Sequence, residues 1–293
     1  MCGIAGIFNF PAAENSPTGQ QLTAMLTAIR YRGPDESGIY LGKKIGLGNV
    51  RLSIIGLSSG QQPISIRDKK YWIVYNGELF NYIEIKRDLE KLGIRFTTQT
   101  DTEVVLQAYA QWGPACLQQF VGQFAIAIWD KDKEELFLAR DRVGIRPLFY
   151  TRSGNQFIFC SEIKGLFQIP TVRRAVNHKG LSQIFTFWTT ITPETPFEDV
   201  FEVSPGHYMI VNENSVQSQQ YWNLSYPEPK DYSKKKIEEV TEELRDLFRD
   251  AVKIRLRADV EVAAYLSGGI DSSVTTAFIH EVEPGVLNTF SIG

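Results

Sequence analysis

Cys2 directly follows the initiator methionine in the opening run Met-Cys-Gly-Ile-Ala-Gly-Ile. If Met1 is removed, Cys2 carries both a thiol and a free α-amine. A thiol with a pKa of about 8.5 is only slightly ionised at neutral pH, whereas an α-amine titrating near about 7.7–8.0 is suited to accept its proton. This pair is the terminal-nucleophile form of covalent catalysis. The alternative is a small buried thiol at the start of a first strand.

Four polar segments further along the chain hold groups that could bind or act on a substrate. The 30–38 segment, with two glycines and a proline, is either a shaped loop over a site or a plain turn. The guanidinium of Arg51 could take a carboxylate in two hydrogen bonds, or it could simply be solvated. Asn76 and the Gly77 N–H could form an oxyanion hole, or an ordinary turn that ends a strand. Asp101 opens a predicted helix, where it could also hold an ammonium group.

A second polar run, Ser-Gly-Gly-Ile-Asp-Ser at 267–272, lies between a predicted strand and a predicted helix. Successive backbone N–H groups at a glycine-rich turn, followed by the positive end of a helix, favour an anion such as a phosphate. Asp271 could bring a magnesium ion to that anion. A tight turn without a ligand is the alternative. The run lacks the lysine of the G-x-x-x-x-G-K-[ST] phosphate loop.

Hydrophobic patterning predicts a strand-rich region up to about residue 221, with interspersed helices. The apolar N-terminus reads as a buried strand. Runs of β-branched and aromatic residues predict further strands over 45–50, 71–76, 124–130, 135–140, 156–161 and 207–211. One-sided apolar stripes predict helices over 20–30 and 82–92, and two more helices are expected over 101–112 and 178–187.

The pattern changes at 223–234, which contains two prolines and few apolar residues, the composition of a linker. Apolar spacing then predicts a helix over 237–257, a buried strand over 260–266, a helix over 272–281 and a second buried strand over 287–292, parallel to the first. Such a short unit cannot close a core by itself. We therefore expect a domain over 1–222, a linker over 223–234 and the truncated start of another domain over 235–293.

The composition is that of a globular protein, with 43% hydrophobic and 12% aromatic residues among 293. The net charge of −3 comes from well-mixed acidic and basic residues, which argues against a nucleic-acid partner. Cys2, Cys116 and Cys160 show no C-x-x-C spacing, which argues against a disulfide framework or zinc site and favours a reducing cytoplasm. The N-terminus lacks a basic leader, and Asn9 and Pro11 interrupt its apolar run, so we expect neither a signal peptide nor a membrane span.

Five motifs, in order along the chain, resemble the N-terminal-nucleophile glutaminase domain of class II glutamine amidotransferases. They are Met-Cys-Gly-Ile-Ala-Gly-Ile, Arg-Gly-Pro-Asp, Arg-Leu-Ser-Ile, Tyr-Asn-Gly-Glu and Thr-Asp-Thr-Glu. The resemblance implies an α+β fold of four αββα layers, with two stacked antiparallel sheets between helices. It also implies that Cys2 attacks the side-chain amide of glutamine and releases ammonia through a thioester, with its own amine moving the proton.

The resemblance also implies individual roles. Arg51 would hold the α-carboxylate of glutamine, while Glu78 and Asp101 would hold its α-amine. Asn76 and Gly77 would stabilise the tetrahedral oxyanion. The implied catalytic residues are Cys2, Asn76 and Gly77, and the implied glutamine-binding residues are Arg51, Leu52, Ser53, Ile54, Ile55, Asn76, Gly77, Glu78 and Asp101.

The 267–272 run resembles the pyrophosphate loop of ATP pyrophosphatases, and both motif sets together resemble the glutamine-hydrolysing asparagine synthetases. The segments 141–148, 160–164 and 205–207 agree with that family, although Tyr31 stands where many members have histidine. The resemblance implies ATP and Mg²⁺ for the synthetase half and no cofactor for glutamine hydrolysis. Implied ATP-binding residues are Leu266, Ser267, Gly268, Gly269, Asp271, Ser272 and Ile292, with Asp271 also toward Mg²⁺.

In that family, ammonia attacks a β-aspartyl-AMP to give asparagine, AMP and pyrophosphate. The implied partners are glutamine, aspartate and ATP, with a homodimer as a further expectation and no membrane. Members continue well past residue 293, so the synthetase half is expected to be incomplete here. One alternative is a related amidotransferase that amidates a sugar acid or peptide. Another is a non-catalytic protein on this scaffold, against which the full set of glutaminase residues counts.

Overall fold

The computed structural model describes residues 1–11 and 16–292, so the end of the expected second domain, at Gly293, lies outside the described residues. The chain divides into two compact units, Met1–Asn223 and Leu224–Gly293. Within the described ranges, every helix is too short or too polar to cross a membrane.

The first unit contains two six-stranded sheets whose paired strands are antiparallel. Its strands are β1 (Gly3–Asn9), β2 (Glu36–Leu41), β3 (Ile45–Arg51), β4 (Ile64–Ile66), β5 (Tyr71–Leu79), β6 (Gly122–Asp130), β7 (Glu135–Arg140), β8 (Phe149–Ser153), β9 (Gln156–Cys160), β10 (Val200–Glu202), β11 (His207–Val211) and β12 (Val216–Gln220). One sheet has the order β10-β8-β9-β1-β3-β2, and the other has the order β12-β11-β7-β6-β5-β4.

Helices cover the outer faces of both sheets. The helices of this unit are α1 (Gly19–Ala28), α2 (Tyr82–Lys91), α3 (Asp101–Trp112), α4 (Ile163–Leu166) and α5 (His178–Phe187), with 3-10 turns at Arg30–Arg32 and Gly113–Gln118. Helices α1 and α4 pack on the β1 sheet, and α2 and α3 pack on the β5 sheet. A third apolar cluster joins the inner faces of the sheets through residues such as Phe8 and Leu138. The expected αββα layering is therefore confirmed.

Most predicted elements of this unit are present, and their ends differ for local reasons. Helices 101–112 and 178–187 have the predicted bounds. Helix α1 starts earlier than expected because Thr18 and Gln21 form a capping box. Strand β5 continues three residues beyond the predicted end at 76, because Gly77, Glu78 and Leu79 pair with β6. The interpretation of Asn76 and Gly77 as a turn is therefore wrong.

The second unit contains a 3-10 turn (Pro229–Asp231), α6 (Ile237–Arg255), β13 (Ala264–Tyr265), α7 (Ile270–Val282) and β14 (Thr289–Phe290). The predicted parallel pairing is confirmed, since β13 and β14 align in parallel. The expectation of two buried strands is wrong. Each has two residues, and Tyr265 and Phe290 are exposed. The physical reason is that the described residues of this unit place no third strand beside the pair.

We expect the inner core between the sheets to dominate the stability of the first unit. Leu138 is fully buried there, whereas Leu92, after α2, is 57% exposed. Leu138→Ala should lower the free energy of unfolding by about 2–5 kcal/mol, because it leaves a cavity. Leu92→Ala should change it by less than about 0.5 kcal/mol. Denaturant unfolding followed by tryptophan fluorescence measures the difference, because all five tryptophans precede residue 224. Equal losses in the two variants would contradict this description.

Candidate active site

Strand pairing fixes the position of Cys2. Strands β1 and β3 are antiparallel, with Gly3 opposite Val50, so Cys2 lies beside the end of β3. The Leu52 N–H donates to Cys2 Sγ at 3.4 Å, and the thiol donates to the Leu52 carbonyl at 3.5 Å. Nε of Arg32 donates to the Cys2 carbonyl at 2.9 Å. Hydrogen bonds to its side chain and to its backbone carbonyl therefore hold the half-buried Cys2 in place.

A cavity of about 440 Å³ lies against Cys2. Its walls come from the start of the chain, the segment after β3, strand β5, the first turn of α3 and the segment after β7. The lining residues are Met1, Cys2, Arg51, Leu52, Ile54, Ile55, Gln62, Tyr75, Asn76, Gly77, Glu78, Thr100, Asp101, Thr102 and Arg146.

Almost all of the sequence-predicted glutaminase residues meet at this cavity. Ser53 is the exception, because it is absent from the lining and its N–H donates to Asp35 Oδ2 at 2.8 Å. Residues that are far apart in sequence, such as Cys2 and Asp101, are brought together because the ends of β1, β3 and β5 converge with the start of α3.

Asn76 presents a buried amide that has no protein partner. The residue is 1% exposed, and its Nδ2 has no hydrogen-bond acceptor among the described residues. A buried donor without a partner costs free energy, so we expect a water or ligand atom in the cavity to accept a hydrogen bond from it. Gly77 is required by the sheet itself, because a Cβ at this position would lie 2.4 Å from the Gln123 carbonyl oxygen.

Asp101 joins the start of α3 to β5. Thr100 caps the helix by accepting from the Thr102 N–H at 3.3 Å. Asp101 Oδ2 accepts from the Tyr75 hydroxyl at 3.2 Å and from the Leu79 N–H at 3.0 Å. Burial raises the pKa of the Asp101 carboxyl, while these donors oppose that rise. An ammonium group in the cavity would favour the ionised carboxylate.

Arg51 is 4% exposed, so the interpretation of it as a solvated arginine is wrong. Its Nη1 contacts Glu36 at 3.0 Å and the Leu57 carbonyl at 3.3 Å. Its Nη2 donates to the carbonyls of Ile55 at 3.1 Å and Gly56 at 2.8 Å. The guanidinium therefore fixes the loop after β3 and also lines the cavity. Its role toward a carboxylate stays a prediction.

The ionisation of Cys2 follows from its surroundings. Burial raises the pKa of the thiol, while the Leu52 N–H, the N-terminal amine and the Arg51 cation oppose that rise. Burial lowers the pKa of the Met1 α-amine, and the cations of Arg146 and Arg32 lower it further against the opposing effect of Cys2. With Met1 in place, the thiol is therefore predominantly protonated at neutral pH.

Sequence reasoning assigned no role to several lining residues. Gln62 bridges two elements: its Oε1 accepts from the Tyr75 N–H at 2.6 Å, and its Nε2 donates to Thr102 Oγ1 at 3.4 Å. Arg146 is 8% exposed and reaches the cavity from the loop between β7 and β8. Tyr75 and Arg146 lie in motifs already noted above, but only the fold shows that they share one cavity.

In the second unit, the predicted ATP-binding residues form a loop and a helix start. Gly268 has a φ of +80°, and Gly269 is the N-cap of α7. Ser272 Oγ accepts from the Ser267 N–H at 3.2 Å and donates to the Gly269 carbonyl at 3.1 Å. Leu266 follows β13 and is half-buried, whereas Asp271, in the first turn of α7, and Ile292 are exposed. In residues 1–11 and 16–292, no group of three or more His, Cys, Asp or Glu side chains could hold a metal ion.

A family model for the glutamine amidotransferase domain matches residues 1–222. The chain belongs to the glutamine amidotransferase family. A second model, described as asparagine synthase, matches residues 243–293.

Curated relatives agree with this membership. The chain is 36% identical over 299 residues to asparagine synthetase (glutamine-hydrolysing) 3 of Bacillus subtilis strain 168, which covers 100% of this chain and 48% of the relative. It is 38% identical over 302 residues to asparagine synthetase (glutamine-hydrolysing) 2 of the same strain, covering 100% of this chain and 40% of the relative. The chain thus spans half or less of the length of these relatives.

The fold is also similar to that of glutamine phosphoribosylpyrophosphate amidotransferase from B. subtilis, solved in complex with ADP and GMP. The TM-score is 0.57 at 18% identity, covering 99% of this chain and 65% of that one. At this identity the likeness concerns the fold alone.

We expect Cys2 to be the reactive thiol of the folded protein. Cys116 and Cys160 are at most 1% exposed, and burial raises the pKa of the Cys160 thiol to about 12. Iodoacetamide should therefore label Cys2 more than about tenfold faster than either buried cysteine, at a rate that rises with pH. Peptide mapping by mass spectrometry measures the rates. A folded Cys2→Ser variant should be labelled more than about tenfold more slowly, and labelling of Cys116 or Cys160 as fast as Cys2 without unfolding would contradict the prediction.

Proposed function

We propose that the 1–222 domain hydrolyses glutamine to glutamate and ammonia, with Cys2 as nucleophile after removal of Met1. The observation that carries this proposal is the meeting of the Cys2 thiol with the unpartnered, buried Nδ2 of Asn76 in one cavity wall. A nucleophile facing a preorganised donor is the arrangement that acyl transfer requires. Membership of the glutamine amidotransferase family supports glutamine as the amide that is attacked.

In this mechanism the α-amine of Cys2 takes the thiol proton as Sγ attacks the side-chain carbonyl of glutamine. The C–N bond then breaks, the amine returns the proton to the departing ammonia, and a thioester remains on Cys2. Water hydrolyses the thioester to glutamate and restores the thiol. Asn76 Nδ2 and the Gly77 N–H would stabilise the oxyanion of both tetrahedral intermediates.

The polar groups deeper in the lining would hold the amino-acid end of glutamine. Arg51 would supply positive charge to the α-carboxylate while it holds the loop after β3. Glu78 and the buried carboxylate of Asp101 would face the α-ammonium. Leu52, Ile54 and Ile55 also line the cavity and would contact the rest of the glutamine, with Ser53 next to them in the sequence. Binding of both the α-carboxylate and the α-ammonium would fix the side-chain amide of glutamine at Cys2.

For the parent protein we propose glutamine-dependent asparagine synthesis, with 223–234 as linker and 235–293 as the start of the synthetase domain. The asparagine synthase model over 243–293 and the named relatives support this assignment. The loop formed by Leu266, Ser267, Gly268, Gly269, Asp271 and Ser272, with Ile292, would bind ATP. A single carboxylate, Asp271, suits a Mg²⁺ ion that takes its other ligands from phosphates and water. Aspartate as acceptor, a homodimer and a cytoplasmic location are part of the same proposal.

The decisive test uses the protein with Met1 removed, as verified by mass spectrometry. It should release glutamate from glutamine, and Cys2→Ala should lower the rate to background because the nucleophile is lost. A form that retains Met1, produced with an aminopeptidase inhibitor, should also be inactive because its Cys2 nitrogen is an amide. Glutamate is measured by a coupled dehydrogenase assay. Unchanged release in either form would overturn the terminal-nucleophile mechanism.

A second test separates chemistry from binding. Asn76→Ala should lower kcat by about 10²–10³-fold, because it removes an oxyanion donor, while changing KM little. Asp101→Asn provides the comparison, since loss of a charge that faces the α-ammonium should chiefly raise KM. Steady-state kinetics with glutamine give both constants. A normal kcat with a raised KM for Asn76→Ala would exclude the oxyanion role.

A further inference from the structure

The loop that presents Arg146 to the cavity is held rigidly from one side by Asp141. One carboxylate oxygen accepts from the N–H groups of Val143 at 3.3 Å and Ile145 at 2.9 Å. The other accepts from the N–H groups of Phe124 at 3.1 Å and of Arg146 itself at 3.0 Å. The loop backbone is therefore fixed without any ligand.

Arg140 holds the same loop by donating hydrogen bonds to the loop's carbonyl groups. Its guanidinium donates to the carbonyls of Gly144 at 2.7 Å, Arg146 at 2.8 Å and Val203 at 2.7 Å, and it pairs with Glu202 at 2.8 Å. Because both N–H groups and carbonyls of this loop are engaged, the scaffold sets the backbone position from which the Arg146 side chain extends.

Arg146 is the cation of the cavity wall that has no ion-pair partner among the described residues. Arg51, in the same wall, pairs with Glu36 at 3.0 Å, and Arg32, behind Cys2, pairs with Glu162 at 2.7 Å. The Nε of Arg146 is buried without any partner, and its Nη1 contacts Met1 Sδ. Removal of Met1 ends that contact and leaves the new α-amine, on Cys2, as the chain terminus in the same part of the cavity.

We propose that Arg146 is a positioning residue that keeps the Cys2 α-amine neutral, and so ready to accept the thiol proton, at physiological pH. This inference rests on the proposed function above. A nearby cation without an ion-pair partner disfavours the ammonium form, and the same charge favours the thiolate that forms when the proton moves, although Glu78 acts on Arg146 in the opposite sense. The two effects of the Arg146 charge oppose each other during proton transfer from sulfur to nitrogen, so the charge adds little free energy to that step. Before the transfer, the amine is unprotonated.

Other charges also act on the amine and thiol, and most of them are compensated. Asp35 and Asp101 oppose the effect of Arg146, and the two other arginines have carboxylate partners. The groups that face Cys2 from the surrounding elements are Arg32 with Glu162, Asp35, Arg51 with Glu36, Tyr75, Glu78, Asp101 and Arg146.

The test is the pH profile of kcat/KM for glutamine hydrolysis, measured on proteins with Met1 removed. In Arg146→Met the acidic limb should move about one unit to higher pH, lowering kcat/KM about three- to fivefold at pH 7 and little at pH 9. Arg146→Lys should restore the limb because the charge returns. Arg142→Met is the matched control: Arg142 lies in the same loop but outside the cavity lining, so this variant should keep the profile of the unchanged protein.

The outcomes separate the two proposals. If the protein without substitutions, with Met1 removed, does not hydrolyse glutamine, the proposed function is overturned. An active protein whose acidic limb stays in place in Arg146→Met would overturn only the role of Arg146. A uniform loss at all pH values, or a loss that Arg146→Lys does not restore, would also overturn it, because such a loss indicates packing or substrate contact. Thermal unfolding of each variant identifies a folding defect.

Discussion

The whole site depends on the pairing of β1 between β3 and β9. In the proposed mechanism Cys2 is a nucleophile at the chain terminus, with a covalent neighbour on one side only, so the fold must supply the restraint that a second neighbour would give. Every residue of β1 is buried, and the Ile4 N–H donates to Ser161 Oγ at 2.9 Å. Leu52 and Arg32 then hold the thiol and the carbonyl of Cys2. These bonds fix Cys2 at one end of the cavity.

Sequence patterns located most elements of the first unit, because each sheet and helix buries one face and leaves a periodic signal. They also located most of the residues that line the cavity, through motifs rather than periodicity, but Gln62 lay in no motif. They failed where the cause is tertiary. Strand β5 runs on through Asn76 and Gly77 because β6 pairs with it, and the burial of Arg51 follows from loop carbonyls that no local pattern specifies.

The two units differ in how well sequence predicts them. A buried strand is predicted from its apolar run on the assumption that neighbours cover both faces. In the second unit β13 pairs with β14 as expected, but apolar side chains stay exposed. Leu244 and Leu247 of α6, for example, are 65% and 68% exposed. Apolar content therefore predicts which segments pair, while burial requires partners that the described residues of this unit do not provide.

The order in which the chain is made also matters for its first residue. Strand β1 pairs with β9, and Ile4 is bonded to Ser161, so the first strand cannot complete its contacts until about residue 160 has been synthesised. At about 5–20 residues per second, that delay is roughly 8–30 s. Throughout this interval Met1 is not yet packed against Arg146. The long sequence separation of the central strand pair would thus give an aminopeptidase time to remove Met1, as the proposed mechanism requires, before the fold closes around Cys2.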